Sequence, residues 1–327
     1  MAVQEKFAII ILEIVQNRQP LNKNKIINKK CHHLATSIIY YIERRDKMIP
    51  KITNISKDEV DFYLFDLSTK FSKINSEEYV LSYSGGKDSH LLYWFIKEYL
   101  KEDRIKIVGV NTRMEHPQIS RRILDNCDVV LLPKYKPHEI VEKYGSPCFN
   151  KLHDEYIRRY QNGSRAISTM KYVERLDDNT RFKLPIEASK LLLNDELHKI
   201  SSKCCDILKK EPMADYLKEN NKKLIMAVKG EESQLRKARY KSCFTSDGKF
   251  TPLWDLSEDM ENAIYFYYNI DIPPIYEVLD RTGCMGCPYG RSVEKELQTL
   301  SDNQYNYVLS LFKKSYDVRG INYTKEG

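Results

Sequence analysis

No stretch of this 327-residue chain is long and apolar enough to read as a membrane span. The most apolar run, Phe7 to Val15, is short, is interrupted by Glu13 and has neither a basic leader nor a small-residue cleavage site, so a cytoplasmic protein with no membrane partner is expected. Cysteine is sparse as well. Eight thiols in so long a chain are not the density of a disulfide scaffold, and in a reducing compartment clustered cysteines point to metal or sulfur chemistry instead. Charge of one sign is lacking: 53 basic against 46 acidic residues leave +7, far from a histone-like coat and compatible with ordinary solubility charge. Internal repeats, low-complexity tracts and long linkers are absent too, which excludes a solenoid or a bead-on-string array. What is present is a 42% hydrophobic composition, enough for a sizeable core in one large domain with an appendage or in two smaller ones.

The texture changes along the chain. Residues 1–75 carry apolar residues at helical spacing (Phe7, Ile10, Ile11, Ile14, then Leu34, Ile38, Ile42), which predicts a small helical amino-terminal region. It holds 13 Lys or Arg against 8 Asp or Glu, a net +5 that suits a nucleic-acid or partner contact and equally a solvated helix face. From residue 76 to about 295, short β-rich runs (Tyr79 to Tyr83, Lys106 to Val110, Val129 to Leu132, Leu224 to Val228) each lead into a turn and a helical stretch. That alternation predicts an α/β fold, a doubly wound and mostly parallel sheet whose ligands sit at the carboxyl ends of the strands. Residues 151 to 200 read as a mainly helical insertion and residues 296–327 as a helical tail.

The segment after the first run is Ser84-Gly85-Gly86-Lys87-Asp88-Ser89, opening an amphipathic stretch from Ser89 to Leu100. Two glycines at a strand-to-helix junction let backbone N–H groups approach phosphate oxygens, and the helix start adds its positive dipole end. Ser84 and Ser89 bring hydroxyls, Lys87 brings a full charge, and Asp88 suits either Mg²⁺ or the helix start. The glycine spacing is not that of a Walker A loop. Two cysteine pairs, Cys204-Cys205 and Cys284-Met285-Gly286-Cys287, supply four thiolates, a set fit for a four-iron, four-sulfur cluster or a structural zinc. Adjacent cysteines favour the cluster: zinc sites place two to four residues inside each pair, whereas a cubane offers separate iron corners.

The six residues 84 to 89 resemble the signature of the PP-loop superfamily, the adenine nucleotide α-hydrolase-like ATP pyrophosphatases. The resemblance implies a Rossmann-like, HUP-type fold, a loop that holds the pyrophosphate part of ATP with Mg²⁺, and attack on the α-phosphate. The wider order of Cys204-Cys205, Lys209-Lys210-Glu211-Pro212-Met213, residues 230 to 239, Thr251 to Trp254, Ile272-Pro273-Pro274 and the second cysteine pair is similar to the phosphoadenosine phosphosulfate (PAPS) reductase family, over about residues 78 to 290. That family implies a four-iron, four-sulfur cluster on Cys204, Cys205, Cys284 and Cys287, nucleotide contacts from Arg236 and Arg239, and a base or ribose site near Asn111, Thr112, Glu115, His116 and Pro117.

Two departures shape the expected activity. The sulfonucleotide reductases of that family use a cysteine in a carboxyl-terminal tail, yet no cysteine follows Cys287. Their phosphate loop is degraded, whereas this one keeps the ATP-pyrophosphatase form, a pairing of loop and cluster also found in tRNA thiolases and in DNA phosphorothioation systems. The expectation is therefore an ATP pyrophosphatase-type enzyme, with Lys87 and Asp88 as its catalytic residues, coupled to sulfur transfer and needing a sulfur donor or thiol reductant. Two alternatives stay open: a sulfonucleotide reductase using Cys148, Cys243 or a partner's thiol, and a cluster-bearing nucleic-acid or partner-binding module. A homo-oligomer also stays open.

Overall fold

The computed structural model describes residues 54–176, 183–232 and 234–325; the expected helices of residues 1–53, with Cys31, lie outside the described residues. The described chain opens with α1 (Lys57–Phe71), started by a capping box in which the Ser56 hydroxyl accepts from the Glu59 N–H and the Glu59 carboxylate accepts from the Ser56 N–H. Then come β1 (Tyr79–Tyr83), α2 (Lys87–Trp94, running on into a π-helical turn over Phe95–Tyr99), β2 (Lys106–Val110), α3 (Pro117–Asn126), β3 (Val129–Leu131) and α4 (Pro137–Tyr144). The insertion holds α5 (Lys151–Gln161), α6 (Ile167–Val173) and α7 (Ile186–Leu193). A helical turn, α8 (Lys203–Cys205), passes through a π-helical turn (Asp206–Lys210) into α9 (Glu211–Glu219) and then β4 (Lys223–Ile225). The rest is α10 (Gln234–Arg239), α11 (Glu258–Tyr267), α12 (Val293–Thr299) and α13 (Asp302–Arg319).

All four strands are parallel and lie in the order β3-β2-β1-β4, the α/β architecture that the alternating texture implied. β1 and β2 have the bounds read from the sequence, and β3 is one residue shorter. β4 differs more: Tyr79 pairs with Lys223 and Leu81 with Ile225, but beyond that the run leaves β1. The Met226 N–H donates to the Phe250 carbonyl at 2.9 Å and the Gly230 N–H to the Trp254 carbonyl at 2.9 Å, so residues 226 to 230 follow a neighbouring loop rather than the sheet. Backbone groups so placed stay paired, which is the requirement for burying them.

Period-two alternation along the strands gives the sheet two buried faces. On one, Val80, Val108 and Leu224 pack with Met213 of α9. On the other, the Tyr83 ring meets His90 and Tyr93 of α2, and Tyr79 meets Phe250, which meets Phe71 of α1. Each fully buried Val, Leu or Phe among these contributes about 1.5–3 kcal/mol. The insertion forms a satellite core around Ile157, Tyr172, Leu184 and Ile200, and α12 and α13 form another that includes Met114 and Met285. Residues 51–327 group as one compact unit, and among the described residues no helix is long and apolar enough to cross a membrane.

Strand order positions the site. From β1 the chain moves outward through β2 to β3, then returns across the sheet to β4 on the other side of β1. The connections that leave β1 and β4 at their carboxyl ends therefore part in opposite directions, and ligands of open α/β sheets bind in the crevice that such a reversal opens.

Candidate functional site

The crevice is walled by the loop after β1. Gly85 has φ +72°, and a Cβ there would stand 2.9 Å from both the side chain and the carbonyl oxygen of Ile119, so glycine is required for conformation and for space. A ring of hydroxyls fixes the turn. The Ser89 hydroxyl donates to the Gly86 carbonyl at 3.0 Å, receives the Ser84 N–H at 3.2 Å and lies 3.0 Å from the Ser84 hydroxyl, which receives the Gly86 N–H at 3.4 Å. Ser84 is exposed at the mouth, while Ser89 is buried. Gly86 caps α2 with no side-chain cap, leaving the helix start to other partners.

Beneath the loop lies a group of charges. The Lys87 ammonium donates to the Asn262 side-chain oxygen at 2.6 Å and stands 3.6 Å from the Glu261 carboxylate. Lys229, in the connection after β4, bridges Asp88 at 2.9 Å and Glu261 at 2.5 Å. Glu261 is fully buried, and its second oxygen, Oε1, has no hydrogen-bond partner. Burial pushes the Glu261 carboxyl up, opposed by the two lysines. Burial alone would lower the Lys229 ammonium, but Glu261 and Asp88 outweigh it and hold it above its usual value. The Tyr265 hydroxyl donates to the Lys87 carbonyl at 2.7 Å. Two cations over one buried carboxylate, Glu261, and one half-buried carboxylate, Asp88, thus sit at the reversal point, where an incoming polyphosphate would find both positive groups already placed.

Of this group the sequence reading named Lys87 and Asp88; it missed Glu261, Asn262 and Tyr265. A signal existed for Glu261, because its spacing to Ile264 and Tyr265 puts a carboxylate on the apolar face of α11. Lys229 directly follows the β-rich run that ends at Val228, the position where ligand residues of such sheets stand.

The residues after β2 turn inward. Thr112 is 1% exposed, its hydroxyl donates to Glu115 at 2.6 Å and its N–H donates to the same carboxylate at 3.0 Å, while the Asn111 side-chain oxygen accepts from the Arg113 N–H. His116 precedes Pro117 at the start of α3; its buried Nδ1 has no partner, and burial lowers its pKa. Arg236 and Arg239 lie on α10, just beyond Lys229, the first half-buried and the second exposed beside the Tyr240 ring.

The two cysteine pairs meet. Cys204, Cys205, Cys284 and Cys287 line one cavity of about 20 Å³, walled also by Met114 and Phe312. The pairs reach it by different routes: α8 carries the first, and the second is anchored to the β2 side by a Glu115 to Cys284 bridge and by the Met285 N–H donating to the Met114 carbonyl at 2.6 Å. A hydrogen bond between Cys204 and Cys205 raises the first thiol and lowers the second. Burial pushes Cys284 up, opposed by the Lys209 ammonium beside it, and pushes Cys287 up to about 12. Among the described residues no group of three or more His, Cys, Asp and Glu side chains is arranged to hold a single metal ion. Four thiols around one void suit, by donor chemistry, a polynuclear centre that offers each thiolate its own iron. At about 20 Å³ the void holds roughly one water, so its walls must part to admit such a centre. Of the other thiols, Cys148 is fully buried with its pKa pushed up to about 12 by desolvation, and Cys243 is half-buried.

No family model matches the chain, and no curated protein matches it. Among solved structures, NAD+ synthetase from Burkholderia pseudomallei is 13% identical, with 84% of this chain and 99% of that one covered and a TM-score of 0.35. The NH3-dependent NAD synthetase from Campylobacter jejuni subsp. jejuni NCTC 11168, in complex with the nitrate ion, is 14% identical over 82% of this chain and 97% of its own, with a TM-score of 0.34. At such distances what the chain does has to be read from its own residues: a glycine-walled turn, two lysines over Glu261 and Asp88, and, in a separate cavity, four thiols around one void.

Proposed function

We propose that this chain is a PP-loop enzyme that binds ATP with its phosphates in the crevice between β1 and β4 and transfers the adenylyl group to an acceptor with release of pyrophosphate. The observation that carries the reading is the pairing of Lys87 and Lys229 over Glu261 and Asp88 beside the Gly85-Gly86 turn. The β- and γ-phosphates would lie against the Gly86 and Lys87 amides and the Ser84 hydroxyl, with both ammonium groups neutralising them. An acceptor oxygen attacks the α-phosphorus, its bond to phosphorus forms as the bond to the bridging oxygen breaks, and pyrophosphate leaves with the charge the lysines stabilise. Mg²⁺ bound with the nucleotide would spread the same charge, and Asp88 is the carboxylate at the loop able to face it.

The finer reading is that the adenylylated acceptor then takes up sulfur. Cys204, Cys205, Cys284 and Cys287 would hold a four-iron, four-sulfur cluster, which supplies a bound centre for handling sulfur or electrons beside the nucleotide. Glu115 links the two regions, since it receives Thr112 at the end of β2 and bridges to Cys284 through the backbone. The deep burial and raised pKa of Cys148 speak against its serving as the nucleophile of a sulfonucleotide reductase.

The test is an assay of ATP binding and pyrophosphate release on anaerobically purified, metal-loaded protein with candidate acceptors, beside Lys87→Ala and Lys229→Ala. Binding that both variants weaken by at least about tenfold supports the reading. Intact wild-type protein that neither binds nor cleaves ATP excludes it.

A further inference from the structure

The phosphate loop already has an occupant. The Lys87 N–H, at the first position of α2, donates to the Tyr276 hydroxyl at 2.8 Å, across 189 residues of sequence. That amide belongs to the set a phosphate would use, since the first N–H groups of a helix have no partner inside it. The Tyr276 hydroxyl also lies 3.1 Å from the Thr282 hydroxyl. A Cβ added to Gly86 would stand 3.4 Å from Tyr276 and 3.6 Å from Thr282, so both hydroxyls cover the face of the turn that glycine leaves open. Tyr276 is held there by its surroundings: it belongs to a 3₁₀ turn over Pro274–Glu277, and the Ile275 N–H donates to the Gln118 side chain of α3 at 2.9 Å.

We propose that Tyr276 is an internal latch on the phosphate loop, its hydroxyl standing in for a phosphate oxygen, so that nucleotide must displace it and thereby free the segment leading to Cys284. This rests on the ATP reading above and adds its regulation. The displaced segment is short. From Tyr276 it runs through Thr282 to Cys284, and from there its backbone is tied to Glu115 and Met114. Phosphate entry at one end is therefore transmitted to the cysteine turn at the other, and the thiol cavity loosens when the nucleotide site fills. With the site empty, the same hydrogen bonds keep the loop satisfied and the cavity shut.

The latch makes nucleotide binding compete with an internal hydrogen bond, and removing the competitor should tighten binding. Calorimetric titration of the full chain with MgATP, and separately with magnesium pyrophosphate, would compare wild type with Tyr276→Phe and Thr282→Val. The expected result is about threefold to tenfold tighter binding for Tyr276→Phe, the worth of one neutral hydrogen bond, and a smaller gain for Thr282→Val. Unchanged or weaker binding in a folded Tyr276→Phe protein overturns the latch while leaving the ATP reading intact; absence of binding by both wild type and variants overturns both. Should Tyr276→Phe fail to fold, hydrogen exchange on the wild type decides. Nucleotide should increase protection over residues 84–94 and decrease it over 274–284, and protection gained in both segments would overturn the latch, because the segment would then be closing on the ligand.

Discussion

Gly85 is the position in the crevice where a single methyl group meets both a strained backbone and a wall. At φ +72° and 2.9 Å from the Ile119 carbonyl, Gly85→Ala should lose about 1–3 kcal/mol of stability, read as a lower denaturant midpoint, together with any nucleotide binding. Lys229 presents the electrostatic counterpart. Lys229→Met leaves Glu261 and Asp88 without their shared cation, and removing one partner of a buried ion pair costs about 3–5 kcal/mol. Adding Glu261→Gln to Lys229→Met should return most of that loss; if the double variant is no more stable than the single one in urea titration, the carboxylate is not what the lysine serves. At this scale the sequence was legible where chemistry was local. The six residues from Ser84 to Ser89 announce an anion site by themselves, whereas Glu261 and Tyr276 reach the same site from far along the chain, and no short-range pattern encodes where a helix lands.

Among the elements, α12 carries a titration that can be followed. Glu296 is buried, its carboxylate accepts the Gly286 N–H at 3.1 Å inside the second cysteine turn, and burial pushes its pKa from 4.5 up to about 7. A carboxyl held above its unfolded value keeps its proton in the fold, so its contribution is complete below 4.5 and is lost as the pH climbs through about 7. Glu296→Gln should therefore match wild type in acid and exceed it at about pH 8 by as much as roughly 3 kcal/mol, measured as thermal stability across that range. An equal effect at both ends would mean that the amide merely repacks. The strands were the most legible elements, β1 and β2 to the residue, because short runs rich in aromatic and β-branched residues end at turn signals. The end of β4 was not, since Met226 pairs with Phe250 by a tertiary choice. Nor were the π-helical turns after Trp94 and Cys205, where one extra residue widens a helix without changing its composition.

For the molecule as a whole, the glycine turn follows β1 at the carboxyl end of the sheet, and the second cysteine pair is tied beyond β2 by the bridge from Glu115 to Cys284. Protein reconstituted anaerobically with iron and sulfide should gain a visible absorption band and melt at a higher temperature than metal-free protein. Cys284→Ala and Cys287→Ala should abolish both gains; zinc bound in place of iron, with no visible band, would replace the cluster reading. The α/β class and the parallel sheet could be read from alternating texture, whereas the convergence of two cysteine pairs was expected from thiol chemistry and resemblance, because nothing in their spacing fixes a separation in space. The last long helix adds a temporal constraint. Tyr316 of α13 donates to the Gly286 carbonyl, Arg319 to that of Pro288, and Phe312 walls the thiol cavity. During translation Cys284 and Cys287 leave the ribosome before these residues exist as folded chain, so the cysteine turn stays pliable until α13 docks. That interval is when the four thiols can still be reached without prying apart a finished wall.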